Sequence, residues 1–296
     1  MSGGERGALG GRKAGLDSMS IPGIHIDGIE VINPDHARGG FRFALFDFDG
    51  TLSLIRQGWQ GVMIPMMVEI LLETNSGESE REITSCVAEF VERLTGRQTI
   101  YQMIQLREEV EKRGGKALDP LEYKKAYLAR LWERIKDRVG GLKAGDIDPA
   151  SMIVPGGEEI LKSLRERGVS LFLASGTDID YVRDESEALG LSGYFDGGIY
   201  GALDEYKRFS KQMLIEQIYR EHGLSGGELL GFGDGFVEIE DTKEANGVAV
   251  GVASDEVGRV EADPWKRSRL IQAGADLIIP HYRNYEALVG YLFGEG

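Results

Sequence analysis

Two carboxylates one residue apart, Asp47 and Asp49, close the apolar run Phe43-Ala44-Leu45-Phe46 and are followed by Gly50 and Thr51. An apolar run of this length bounded by glycine reads as a buried strand of a parallel sheet, and in such sheets reactive groups collect at the carboxyl ends of the strands. Asp-Gly is also an ordinary turn signal, but Asp47 at the end of an apolar strand then lacks a partner to offset its burial. Three further segments carry polar groups at the ends of apolar runs. Ser175-Gly176-Thr177 follows Ser170–Ala174, and a hydroxyl followed by backbone N–H groups at a glycine turn can donate hydrogen bonds to a phosphate. The same triplet is a good helix N-cap. Asp234 closes Leu229–Gly233, with Glu238 four residues on at the start of the next helix. Asp47, Asp234 and Glu238 together form a set of hard oxygen donors that repel one another unless a divalent cation joins them, and oxygen-only ligation points to Mg²⁺. Glu240 and Asp241 compete with Glu238 for that role, and all three acids also suit the positive end of a helix. Lys207 and Lys211 stand just before or at the opening of another helix, where a cation is unfavourable unless an anion lies beside it.

The rest of the chain must position these groups. Ile24 to Ile32 alternates apolar and polar residues around Asp27-Gly28, the signal of a hairpin at an edge of the main domain. Between Trp59 and about Val139 apolar residues recur at helical spacing, with turn signals at Asn75-Ser76-Gly77, Gly114-Gly115 and Gly140-Gly141. After Val154-Pro155-Gly156 helices and strands alternate, which implies a parallel sheet with helices on both faces. Gly168, Gly190, Gly223 and Gly247 fall at helix exits as left-handed caps. The expected architecture is α/β, a Rossmann-like parallel core over 21–56 and 150–296 with an all-helical domain inserted over 57–149. Residues 1–20 lack hydrophobic periodicity and are expected to be disordered.

Composition narrows the function. In 296 residues, 34 basic against 49 acidic side chains give a net charge of −15, which argues against nucleic acid as a partner. A small anionic substrate then needs a local cation, a metal or backbone N–H groups to hold it. Cys86 is the only cysteine, so no internal disulfide or thiolate cluster forms and a reducing, cytoplasmic setting is expected. His25, His36, His222 and His281 show no zinc-binding spacing. No apolar run of about 18 residues predicts a membrane span. Gly231-Phe232-Gly233-Asp234-Gly235 has the wrong spacing for a dinucleotide loop and would set an acid against the pyrophosphate.

Asp47-Phe48-Asp49-Gly50-Thr51, a strand-terminal Ser175, a lysine, and Gly233-Asp234-Gly235 with Glu238, in this order, resemble the signature of the haloacid dehalogenase-like superfamily from about Phe41 onward. The helical insert after the first motif is similar to the phosphatase branch with a cap there, which holds phosphoglycolate phosphatases and β-phosphoglucomutases. The resemblance implies Asp47 as nucleophile, Asp49 as general acid/base, and Mg²⁺ held by Asp47, the Asp49 main-chain carbonyl, Asp234 and Glu238. It further implies phosphate contacts from Thr51, Ser175, Gly176 and a lysine. Both lysines match a version of the third motif, Lys207 being preferred in the register where Ser210 caps the helix. Glu238 departs from the Asp commoner in the family. The implied activity is hydrolysis of a small phosphate monoester, such as a sugar phosphate or phospho-acid, through an aspartyl-phosphate. The alternatives are a phosphomutase on a sugar phosphate and a non-catalytic binding protein on the same fold. An acid at Asp49 argues against carbon–halogen cleavage.

Overall fold

Alternate residues of β3 (Phe43–Phe46) point to opposite faces of a sheet, Ala44 and Phe46 into one core, Phe43 and Leu45 into another. That two-sided burial is why the segment reads as an unbroken apolar run. The computed structural model describes residues 24–205, 210–223 and 226–295. Lys207 and the segment 1–20 expected to be disordered lie outside them. The remaining strands are β1 (Ile24–Ile26), β2 (Ile29–Val31), β4 (Ser170–Asp178), β5 (Gly198–Ala202), β6 (Leu229–Gly233), β7 (Val248–Val252) and β8 (Leu277–Ile279). They form one sheet in the order β1-β2-β8-β7-β6-β3-β4-β5. It is parallel from β8 to β5, and the β1–β2 hairpin adds antiparallel at its outer edge as its pattern predicts. Asp27 and Gly28, both at positive φ, make the hairpin turn.

Helices cover both faces, as expected of a parallel sheet. α5 (Gly157–Glu166), α6 (Ile179–Ala188) and α10 (Tyr285–Phe293) contribute Ile160, Leu161, Leu164, Val182, Leu288 and Leu292 to the core that holds Phe46. α7 (Lys211–His222) packs Leu214, Ile215 and Ile218 on Phe43 and Leu45, while α8 (Phe236–Glu244) and α9 (Pro264–Gln272) pack Ile239 and Leu270 beside it. The fold is thus α/β with a Rossmann-like arrangement. From β3 the chain runs to β4 and β5 on one side, then returns through β6 to β7 and β8 on the other, so the carboxyl end of β3 lies at a topological switch point.

Four consecutive helices separate β3 from α5: α1 (Gln60–Leu72), α2 (Glu80–Leu94), α3 (Thr99–Lys112) and α4 (Pro120–Ala144). Their starts and stops follow local chemistry, with a Ser79–Glu82 capping box on α2 and Asp119 capping α4 before Pro120. No described helix is long and apolar enough to cross a membrane.

Several expectations are corrected. Gly140-Gly141 is no turn: α4 continues through it to Gly145, which takes the left-handed cap. Helical glycine lets Ile147 pack close, since a Cβ on Gly141 would lie 2.6 Å from Ile147 Cδ1. Gly168, Gly190 and Gly223 have positive φ, but after α8 it is Asn246, not Gly247, that does. Ser175-Gly176-Thr177 belongs to β4 instead of forming a glycine turn before a helix. Ala174 pairs with Tyr200 and Asp178 with Ala202, so extra residues bulge out between them. Strand β5 and helices α9 and α10 were not legible in the pattern, β5 because Gly198-Ile199-Tyr200-Gly201-Ala202 is short and interrupted by glycine.

Candidate active site

Asp47 follows β3 directly, and its backbone N–H continues the ladder to Phe232 O of β6 at 2.9 Å. Its side chain is buried, accepting from Lys211 Nζ at 2.5 Å on Oδ1 and from Thr51 Oγ1 at 3.2 Å on Oδ2. Burial and the nearby charges of Glu238 and Asp234 push its carboxyl well above the ordinary range, against the pull of Lys211. Thr51 is fully buried and also accepts from Asp234 N–H at 2.9 Å. One hydroxyl therefore ties the end of β3 to the end of β6.

Asp49 faces the ends of β4. Its Oδ2 accepts from Thr177 Oγ1 at 2.8 Å and Ser175 Oγ at 3.4 Å, while Oδ1 is buried without a hydrogen-bond partner. Ser175 Oγ accepts in turn from Thr177 N–H at 3.0 Å. The β4 bulge is what aims both hydroxyls at one carboxylate.

Lys211 opens α7, with Ser210 capping it through Met213 N–H at 3.0 Å. Its Nζ bridges Asp47 and the buried Glu238 of α8. Burial works against the ammonium charge, but the two carboxylates outweigh it and hold the pKa above that of ordinary lysine. Glu238 Oε2 is buried without a hydrogen-bond partner. Asp234, one residue before the cap of α8, pairs instead with Lys266 of α9, Nζ to Oδ2 2.8 Å.

A pocket opens over these groups, lined on the sheet side by Asp47, Asp49, Gly50, Ser175, Gly176, Thr177, Asp234 and Glu256. Its other wall comes from the helical segment: Trp59, Met63, Thr95, Gly96, Arg97, Thr99, Gln102 and Tyr127. The α2–α3 connection lies directly on the strand ends. A Cβ on Gly235 would sit only 2.9 Å from Gly96 Cα, an approach that glycine permits, and one on Gly176 would press on Arg97 O at 3.1 Å.

The donors suit a hard cation in kind. They are carboxylate oxygens, and Gly50, at positive φ, leaves room above Asp234 that a Cβ would fill by overlapping Oδ2. The partnerless Asp49 Oδ1 and Glu238 Oε2 are likewise buried oxygens awaiting a partner. Among the described residues no three acidic, histidine or cysteine side chains form a ready-made cage, and the acids are bridged in pairs by Lys211 and Lys266.

Of the residues singled out in the sequence, Asp47, Asp49, Thr51, Ser175, Gly176, Lys211, Asp234 and Glu238 lie together at the ends of β3, β4 and β6, whereas Lys207 lies outside the described residues. Sequence reasoning missed Thr177, Arg56, Glu256 and Lys266. Arg56 is buried, donates twice from Nε and once from Nη2 to Glu185 of α6, and comes within 3.8 Å of Asp49 Oδ1. Lys266 had a readable signal: Asp263-Pro264 starts a helix, and a lysine in its first turn poses the same conflict that drew attention to Lys211.

A parallel sheet whose switch point gathers carboxylates, hydroxyls and a buried lysine is an α/β arrangement of the kind that carries its reactive groups at the strand ends. A family model described as haloacid dehalogenase-like hydrolase matches residues 41–246, and the chain belongs to that family. Among solved structures, a β-phosphoglucomutase from Clostridium difficile is similar at 14% identity and TM-score 0.55, covering 86% of this chain and 98% of its own. A predicted phosphoglycolate phosphatase from Haemophilus somnus shares 16% identity at TM-score 0.53, covering 85% of this chain and 99% of its own. A haloacid dehalogenase-like protein of unknown function from Agrobacterium tumefaciens shares 19% at TM-score 0.54, covering 85% and 98%. These likenesses establish a shared fold. No curated protein matches the sequence.

Proposed function

We propose that this hydrolase is a Mg²⁺-dependent phosphatase of small phosphate monoesters that forms an aspartyl-phosphate on Asp47. The observation that carries the reading is Asp47 itself, a buried carboxylate at the end of the central strand, facing a pocket shared with Asp49, Ser175 and Asp234. An Asp47 oxygen forms the new bond to phosphorus as the ester P–O bond breaks, and Asp49 gives its proton to the departing alkoxide. Asp49 then takes a proton from the water whose oxygen attacks phosphorus, releasing inorganic phosphate and restoring Asp47. Ser175, the Gly176 backbone and Lys211 bind the phosphoryl oxygens, and Thr51 contributes by fixing Asp47 and Asp234 relative to one another. Asp47, Asp234, the Asp49 main-chain carbonyl and Glu238 would hold the Mg²⁺, which when bound would neutralise phosphate charge so that a carboxylate can approach it.

Residues 57–149 act as a cap that excludes bulk water and selects the substrate, a role supported by the close approach of Gly96 and Arg97 to Gly235 and Gly176. The substrate class is a sugar phosphate or small phospho-acid. A phosphomutase would use the same residues with a sugar hydroxyl as second acceptor, and product analysis separates the two: inorganic phosphate for hydrolysis, an isomer for transfer. The purified protein is tested against a panel of phosphate monoesters. Asp47→Asn and chelation should each abolish turnover with the circular dichroism spectrum unchanged, and undiminished activity in either case removes the mechanism.

A further inference from the structure

Lys266 is a buried cation that the motifs of the site do not call for. Its position is fixed from below: Asp263 caps α9 by accepting from Trp265 and Lys266 N–H, both at 2.9 Å, and its own N–H donates to Ala253 O at the exit of β7 at 2.8 Å. The side chain is only 12% exposed, and Nζ lies 2.8 Å from Asp234 Oδ2, 3.0 Å from Glu256 Oε1 and 3.1 Å from Ser254 Oγ. Ser254 Oγ donates to Gly50 O at 2.6 Å, so the lysine is joined to the turn that follows the first acids. An ammonium loses hydration when buried and is opposed by the helix dipole in a first turn. Only the two carboxylates make its place tenable.

We infer that Lys266 is an internal counter-cation that holds the Asp234 carboxylate until a divalent metal displaces it, and so sets how tightly the site retains metal. The inference rests on the proposed role of Asp234 as a metal ligand. A carboxylate oxygen engaged by an ammonium and one engaged by a metal use the same lone pairs, so the two cations compete, and a positive charge left close by repels the incoming ion. Arg56 cannot take over, being committed to Glu185, and Lys211 is committed to Asp47 and Glu238. Glu256 and Ser254 give the displaced ammonium a second place to rest, reachable along a flexible four-carbon stem without returning the charge to water. Without Lys266, Asp234 and Glu256 would face each other unshielded across Gly50, where the chain has no side chain to separate them.

The test uses Mn²⁺ as a spectroscopic probe, titrated into full-length protein and followed by the loss of free-ion electron paramagnetic resonance signal, with Mg²⁺-dependent thermal stabilisation as a second readout. Lys266→Met should bind Mn²⁺ at least tenfold more tightly than wild type and gain more in melting temperature from Mg²⁺. Equal or weaker binding would overturn the inference while leaving the metal site intact. Binding by neither protein would overturn the metal reading and the inference together. Should Lys266→Met not fold, Lys266→Gln, which can still donate to both carboxylates without a charge, carries the same expectation. Wild type supplies an independent check: Mg²⁺ must shift the Lys266 ¹⁵Nζ resonance, and a resonance unmoved while Mg²⁺ binds would overturn the exchange.

Discussion

The two walls of the pocket are built on different principles. On the sheet side, Asp47, Asp49, Ser175 and Thr177 sit on or just after strands; Thr51 fixes Asp47, and Asp49, Ser175 and Thr177 fix one another, by hydrogen bonds of 2.8–3.4 Å. On the helical side the residues come from α1, α3, α4 and the α2–α3 connection, and the contact with the strand ends is main chain at Gly96 and Arg97 together with one ion pair, from the buried Lys124 of α4 to Asp178 at the end of β4, 2.5 Å. Arg97 is the cation of that wall. It is exposed, rests over the Tyr101 ring, and has no carboxylate partner among the described residues. Groups that perform chemistry need fixed geometry and therefore belong on the rigid layer, whereas groups that choose a substrate can ride on a connection able to move. The first wall thus speaks to reaction class, the second to substrate.

If that division holds, substitutions on the two walls should separate kinetically. The largest effect belongs to the sheet wall: Asp49→Asn should lower kcat by about 10²–10⁴-fold with little change in thermal stability, since it removes the proposed proton donor and acceptor. Next comes Arg56, where the walls meet, close to both Tyr127 and Glu185. Arg56→Met leaves Glu185 buried and uncompensated, which should cost about 3–5 kcal/mol in urea unfolding. The double variant Arg56→Met/Glu185→Leu should recover much of it. On the helical wall, Arg97→Ala should raise KM about tenfold for monoesters that carry a second negative charge, the scale of one charge-assisted contact. It should leave kcat and the KM of a neutral aryl phosphate nearly unchanged; an equal loss of kcat would erase the distinction between the walls.

The smallest effect lies outside both walls and serves as a control. The hydrogen bonds and charge of Arg267 hold the Glu30 carboxyl below its ordinary range, overcoming the opposing effect of burial. A depressed folded-state pKa stabilises fully above the unfolded-state value and is lost as the pH falls through the folded one. Glu30→Gln should therefore narrow the stability gap between neutral and acid pH by about 1 kcal/mol in denaturant titrations. It should leave turnover untouched.

Legibility in the sequence follows the same division. Asp47, Asp234 and Ser175 announced themselves because each closes an apolar run, a local pattern that marks where the side chain must be, although β4 itself continues past Ser175 to Asp178. Their assembly then followed from parallel topology. Arg56 gave no such mark and Lys266 only that of a lysine in a first helical turn, because what holds them is tertiary: Arg56 meets a glutamate 129 residues away, and Lys266 reaches back to Asp234 across β7. The sequence left Lys207 and Lys211 both open as phosphate binders; Lys207 lies outside the described residues, and Ser210 caps α7 with Lys211 as its first residue. Gly140-Gly141 failed as a turn signal since close packing by Ile147, rather than chain reversal, is what small residues serve there. Nothing local marks Gly96 and Gly235 as partners; their closeness exists only once the helices fold over the sheet.

The covalent step offers the most direct trial. During steady turnover of an aryl phosphate, quenching with borohydride reduces an acyl phosphate to an alcohol, so residue 47 should be recovered as homoserine in the peptide spanning β3 and be absent when substrate is omitted. Turnover that proceeds with Asp47 unmodified, or with the reduced residue elsewhere in the chain, would contradict nucleophilic attack by Asp47.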